Sequence, residues 1–146
     1  MGTRRKAREA ALQFLFQDDF VSDGKLDADA SAQIEERFEQ FCGLYQISKK
    51  ARPYALTLLQ GIVENKEKID KAISESATNW RLERINVTDR NLLRVAVFEM
   101  LVATDVPPQV AINEALEIAK RFGSDESPAF VNGVLDAVRA AMPQSS

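Results

Sequence analysis

Residues 89–103, DRNLLRVAVFEMLVA, restrict what this chain can fold into more than any other stretch. From Leu92 onward the segment is apolar almost all round. Leu92, Leu93, Val95, Ala96, Val97, Phe98, Met100, Leu101 and Val102 leave only Arg94 and Glu99 as charges. A helix of that kind is central and needs other helices packed around it. Its polar start, Asp89, Arg90 and Asn91, is expected to emerge at the surface, and Thr88 is placed to cap it.

The surrounding helices are legible by periodicity. Thr3–Phe20 carries Ala11, Leu12, Leu15 and Phe16 at helical spacing, with Phe14 and Phe20 to the sides. Val21–Asp29 is polar, holds Gly24 and reads as a loop. Ala30–Gly43 places Ile34, Phe38, Phe41 and Cys42 on one face, with Gly43 as the stop. Pro53 suits a first helical turn, and Tyr54, Leu58, Ile62, Ile69 and Ile73 continue one stripe to about Ser74, with a bend near Gly61 or Asn65. In the less regular Ala77–Asn86, Trp80 and Leu82 read as core plugs. Packing there is favoured over a nucleobase platform, although Arg81 and Arg84 flank the indole in sequence.

Val106-Pro107-Pro108 breaks the chain. Val110–Phe122 follows and stops at Gly123, and Ser127 as the cap with Pro128 in the first turn opens the last helix. In that helix Phe130, Val131, Val134, Leu135 and Val138 face the core, and Gly133 is expected to permit close helix contact. Met142–Ser146 is a tail. The expected fold is all-α, with six or seven helices in two packed bundles: a single domain over residues 1–146, an N-terminal lobe of about 1–78 and a C-terminal lobe of about 79–142.

Composition removes several function classes. Histidine is absent, which takes away the commonest general base and metal ligand. Phosphate-loop, dinucleotide and nucleophile-elbow glycine motifs are missing, so the residues suggest neither enzyme nor cofactor nor metal. The one cysteine, Cys42, excludes an intramolecular disulfide and reads as a small buried hydrophobe. No apolar run approaches about 18 residues, so no membrane partner is expected and the cytoplasm is the default location. The net charge of −3 confines any nucleic-acid contact to a local basic patch.

That patch is at the start of the first helix: Arg4, Arg5, Lys6 and Arg8. Cations belong at helix C-termini and carboxylates at N-termini, yet here the cations come first and Asp18 and Asp19 last. Folding does not account for that order; a phosphate partner does. A merely solvated basic tail is the plain alternative.

At this level of detail the chain resembles the NusB family of bacterial transcription antitermination factors. RRKAREAALQFLFQ is similar to the family's arginine-rich first helix, NWRLERINVTDRNLLRVAVFEML to its central segment, and VPPQVAINEALEIAKRFGSDESPAFVNGVLDAV to its C-terminal signature, the most specific of the three. The resemblance implies two helical bundles and binding of the single-stranded boxA element in ribosomal RNA leaders. It also implies pairing with NusE, a small-subunit ribosomal protein, and work beside other Nus factors and RNA polymerase.

Carried over residue by residue, the resemblance implies an RNA face of Arg4, Arg5, Lys6, Arg8, Lys120, Arg121, Phe122, Glu126 and Phe130. The NusE face maps to Phe16, Asp89 and Arg90. Core packing is an equal reading for Phe122 and Phe130, and helix N-terminal stabilisation is one for Asp89. Three positions depart from relatives: Phe16 replaces a tyrosine, Arg121 a shorter polar residue, and Pro108 an aromatic or polar one. Two other readings stay open. One is the NusB-like module of an RNA methyltransferase, against which Met1 and the polar tail suggest a complete protein. The other is a helical adaptor without RNA. Oligomeric state is not legible.

Overall fold

The structure is a computed structural model that describes residues 2–22, 31–103 and 105–143. Among the described residues there are seven α-helices, one 3-10 turn at Leu82–Arg84, and no strand. The chain divides into two compact units, Met1–Lys66 and Glu67–Ser146.

The first unit holds α1 (Gly2–Ser22), α2 (Ser31–Tyr45) and α3 (Arg52–Glu64), with α3 packed on both others. Val21 and Ser22 continue α1; the rest of the expected Val21–Asp29 loop lies outside the described residues. Phe14 on α1 meets Phe38 and Phe41 on α2 edge-on, ring centroids 5.8 and 5.5 Å away. Such pairs add about 1 kcal/mol each beyond the area they bury. Asp18, 2% exposed, pairs with Arg37 of α2. Cys42 is buried, as its setting in the stripe suggests.

Gly43 does not stop α2. The helix runs on to Tyr45, and Gln46 takes the left-handed conformation (φ 53°) that a glycine usually supplies. The Ile47 N–H then donates back to the Cys42 carbonyl at 3.0 Å, closing the helix end. Pro53 does sit in the first turn of α3. The expected bend falls at Asn65, whose backbone N–H and side-chain Nδ2 both donate to the Gly61 carbonyl, at 3.0 and 2.8 Å. The chain therefore breaks into two helices instead of bending one.

The second unit contains α4 (Lys66–Ser76) from Glu67, then α5 (Val87–Leu101), α6 (Pro108–Phe122) and α7 (Ser127–Ala141). α5, α6 and α7 pack pairwise. The periodicity places a lobe boundary near residue 79. The compact units divide before α4's second residue, because Asp70 on α4 is tied to Arg94 on α5.

α5 is the central helix its composition implies: every residue from Asn91 to Met100 is buried. Its polar start does not emerge at the surface, however. Asp89 is 5% exposed, Asn91 is fully buried and Arg90 is half-buried. The cap is also not Thr88 but Asn86, whose Oδ1 accepts from the Asp89 N–H at 2.8 Å.

Trp80 is no core plug. It is 54% exposed, while Leu82 is half-buried. Ser127 is not the cap residue either: it lies inside α7, and its Oγ accepts from the Ser124 N–H at 2.9 Å. The close approach expected at Gly133 occurs at Gly123. A Cβ on Gly133 would meet nothing within 4 Å, whereas one on Gly123 would lie 2.5 Å from the Ser127 Cβ and 2.9 Å from the Ala119 carbonyl oxygen.

Candidate nucleic-acid interface

In the first unit, Arg4, Arg5 and Lys6 are exposed on the opening turn of α1. The buried Ala7, Ala10 and Ala11 seat that helix and turn the three cations outward. The Arg4 guanidinium carbon lies 4.5 Å from the Tyr54 ring centroid on α3, a cation–π contact that orients it. Arg8 does not share their exposure. It is 4% exposed, with its guanidinium carbon 5.9 Å from the same ring. Tyr54 as the seat for two arginines is not evident in sequence, where it reads only as part of an apolar stripe. Phe16, also on α1, is 41% exposed.

The remaining candidates lie in the second unit. Lys120 and Arg121 are exposed at the C-terminal end of α6, where the helix dipole favours cations. The Lys120 Nζ is 3.4 Å from Glu117 Oε2, and the Arg121 guanidinium carbon is 5.3 Å from the ring of half-buried Phe122. The α6–α7 corner is tight because Gly123 admits Ser127. This carries the chain to exposed Glu126 at the N-cap of α7 and to half-buried Phe130 one turn later.

Phe130 meets Trp80 edge-to-face at 6.2 Å. Both rings line a cleft of about 190 Å³, together with Arg84, Ile85, Asn86, Asp89, Ser124 and Glu126. The fold thus brings Asp89, expected on the protein-partner face, into one cleft with the RNA candidates Glu126 and Phe130. Lys120, Arg121, Phe122 and Arg90 do not line it. Trp80 and Arg84, which the sequence reads as packing and a solvated arginine, both line this cleft.

Exposed cations, half-exposed rings and carboxylates are the parts from which single-stranded nucleic acid is held: charge for phosphates, rings for stacking, acceptors for base edges. No group of three or more His, Cys, Asp or Glu is placed to hold a metal ion among the described residues. No described helix is long and apolar enough to cross a membrane. Fold and surface together define an all-helical protein with exposed cations at the start of α1 and at the end of α6.

Comparison with known proteins gives the family. The NusB family model matches residues 5–140, and the chain belongs to that family. A transcription antitermination protein NusB of Desulfotalea psychrophila is 61% identical over 139 residues, covering 95% of this chain and 96% of that protein. A solved structure of T. maritima NusB superposes with a TM-score of 0.76 at 38% identity, covering 94% of this chain and 91% of that one. A crystal structure of the antitermination factors NusB and NusE in complex with dsRNA superposes with a TM-score of 0.79 at 26% identity, covering 97% of this chain and 99% of that one.

Proposed function

We propose that this protein is a transcription antitermination factor of the cytoplasm. It binds boxA-type single-stranded RNA of ribosomal RNA leaders together with NusE, alongside other Nus factors and RNA polymerase. It acts by binding, not by catalysis. The observation that carries the reading is the exposed trio Arg4, Arg5 and Lys6 at a helix start, where the dipole opposes it. Each misplaced charge costs a few tenths of a kcal/mol, and a phosphate chain offsets that cost on binding.

Within this reading Arg4, Arg5 and Lys6 hold phosphates, and buried Arg8 positions Arg4 through the shared Tyr54 ring. Lys120 and Arg121 supply further phosphate contacts, with Phe122 backing Arg121. Glu126 and Phe130 face bases at the cleft. Exposed Phe16, buried Asp89 and half-buried Arg90 are the NusE contacts.

The test is a salt titration of RNA affinity. With three to five phosphates neutralised, log affinity should fall against log salt with a slope of about −2 to −3.5 for a single strand. A slope near zero, or equal affinity for a scrambled RNA, would remove boxA recognition.

A further inference from the structure

We infer that Tyr54 is a positioning residue for RNA binding: its ring holds the Arg4 guanidinium where a phosphate meets it, without itself touching RNA. The inference rests on the RNA-binding reading and deepens it, from which cations hold phosphate to what holds a cation in place.

Arg4 and Arg8 are four residues apart, so they stand one turn apart on one face of α1. Like charges at that spacing repel, and the helix N-terminus disfavours both. Tyr54 faces the pair. Its ring centroid is 4.5 Å from the Arg4 guanidinium carbon and 5.9 Å from that of Arg8. The negative face of an aromatic ring attracts cations at such distances.

The ring is itself fixed. Tyr54 follows Pro53 in the first turn of α3, between the buried Ala51 and Ala55, with buried Leu58 one turn further on. α3 packs on α1, and Tyr54 stays half-buried. Its ring therefore belongs partly to the packed wall and partly to the surface.

The two arginines gain different things from it. Arg8 is 4% exposed, so burial already holds it. Arg4 is exposed, and a long exposed side chain loses rotamer freedom when it binds. Contact with the ring removes part of that freedom before RNA arrives, and such ordering is among the costs that weaken association. The contact uses the charge and face of the guanidinium and none of its five in-plane N–H donors. It does not compete for them with the phosphate oxygens that a guanidinium binds well.

A double-mutant cycle tests this, read by anisotropy of a labelled boxA-type RNA with NusE present and a scrambled RNA as reference. Tyr54→Leu keeps an apolar side chain and removes the ring. It should weaken boxA affinity about twofold to fivefold. The salt slope should not change, because no cation is lost. In an Arg4→Ala background the same change should do nothing further. Tyr54→Phe keeps the ring and should bind as the unaltered chain does.

Equal loss in both backgrounds would mean that the ring touches RNA or only supports the fold. No loss in either would mean that Arg4 needs no seat. Each result would overturn the inference and leave the RNA reading intact. Failure of the unaltered chain to prefer boxA over the scrambled RNA would remove the RNA reading itself, and the inference with it. If Tyr54→Leu does not fold, nitrogen relaxation of the Arg4 Nε–H in the unaltered chain still decides. An order parameter below about 0.6, the range of flexible groups, would overturn the inference; a clearly higher value is the result expected.

Discussion

Arg94 on α5 grips Asp70 on α4 through two parallel hydrogen bonds, Nε to Oδ1 at 2.9 Å and Nη2 to Oδ2 at 3.3 Å. Its Nη1 also donates to the buried Asn91 Oδ1 at 3.1 Å. The side chains are only 9% and 19% exposed, so this is a desolvated, bidentate pair and not a surface bridge. Removing the carboxylate strands a buried cation. Asp70→Ala should lower unfolding free energy by about 3 kcal/mol, read from urea denaturation. Replacing both partners with apolar residues of similar size should cost less than that single change. If the single change is silent, the pair does not hold α4 to α5.

The exposed and buried cations of α1 should separate by readout. Arg4→Glu with Arg5→Glu should lower the magnitude of the salt slope by about 1.4, at roughly 0.7 per lost phosphate contact. Circular dichroism should be unchanged. Arg8→Ala should instead lower the melting temperature, because Arg8 is buried beside Tyr54. Unfolding caused by the Arg4 and Arg5 changes would make the cluster structural.

Two glycines should respond oppositely to alanine. Gly123→Ala forces a Cβ against Ser127 and the Ala119 carbonyl, and backbone cannot yield cheaply. It should destabilise by about 2 kcal/mol in the manner of an overpacked core. Gly133→Ala meets open space inside α7 and should stabilise by up to about 1 kcal/mol. Thermal melts of both variants check the pair.

Cys42 should be inert when folded. Burial pushes its thiol above the ordinary value, Arg52 pulls it down and Glu39 adds to the rise. The unfolded thiol therefore loses its proton at lower pH than the folded one. Stability tied to it is present below the ordinary pKa of 9.0 and falls as pH rises beyond it. Alkylation at pH 8 should be slow on native protein and fast in denaturant. Rapid native labelling would contradict the burial.

The helices were legible because apolar spacing survives whatever the tertiary partners are. Leu92 to Val102 implies a central helix without knowledge of its neighbours, and α5 is buried accordingly. What failed depends on local chemistry that spacing does not encode. Gly43 looks like a helix stop, but Gln46 adopts the left-handed turn. Thr88 and Asn86 are both fit to cap, and only the backbone path decides for Asn86. Trp80 reads as core by residue type, yet it stands in solvent against Phe130. The basic turn of α1 was legible as a candidate phosphate site because its charges oppose the dipole. Arg8's burial was not, since helical register against α3 sets it.

The most direct test of the central claim is fluorescence anisotropy of a labelled boxA-type RNA against a scrambled RNA of equal length, with and without NusE. The account predicts selective binding to boxA that tightens when NusE is added. Equal affinity for both RNAs, or no binding in either condition, would contradict it.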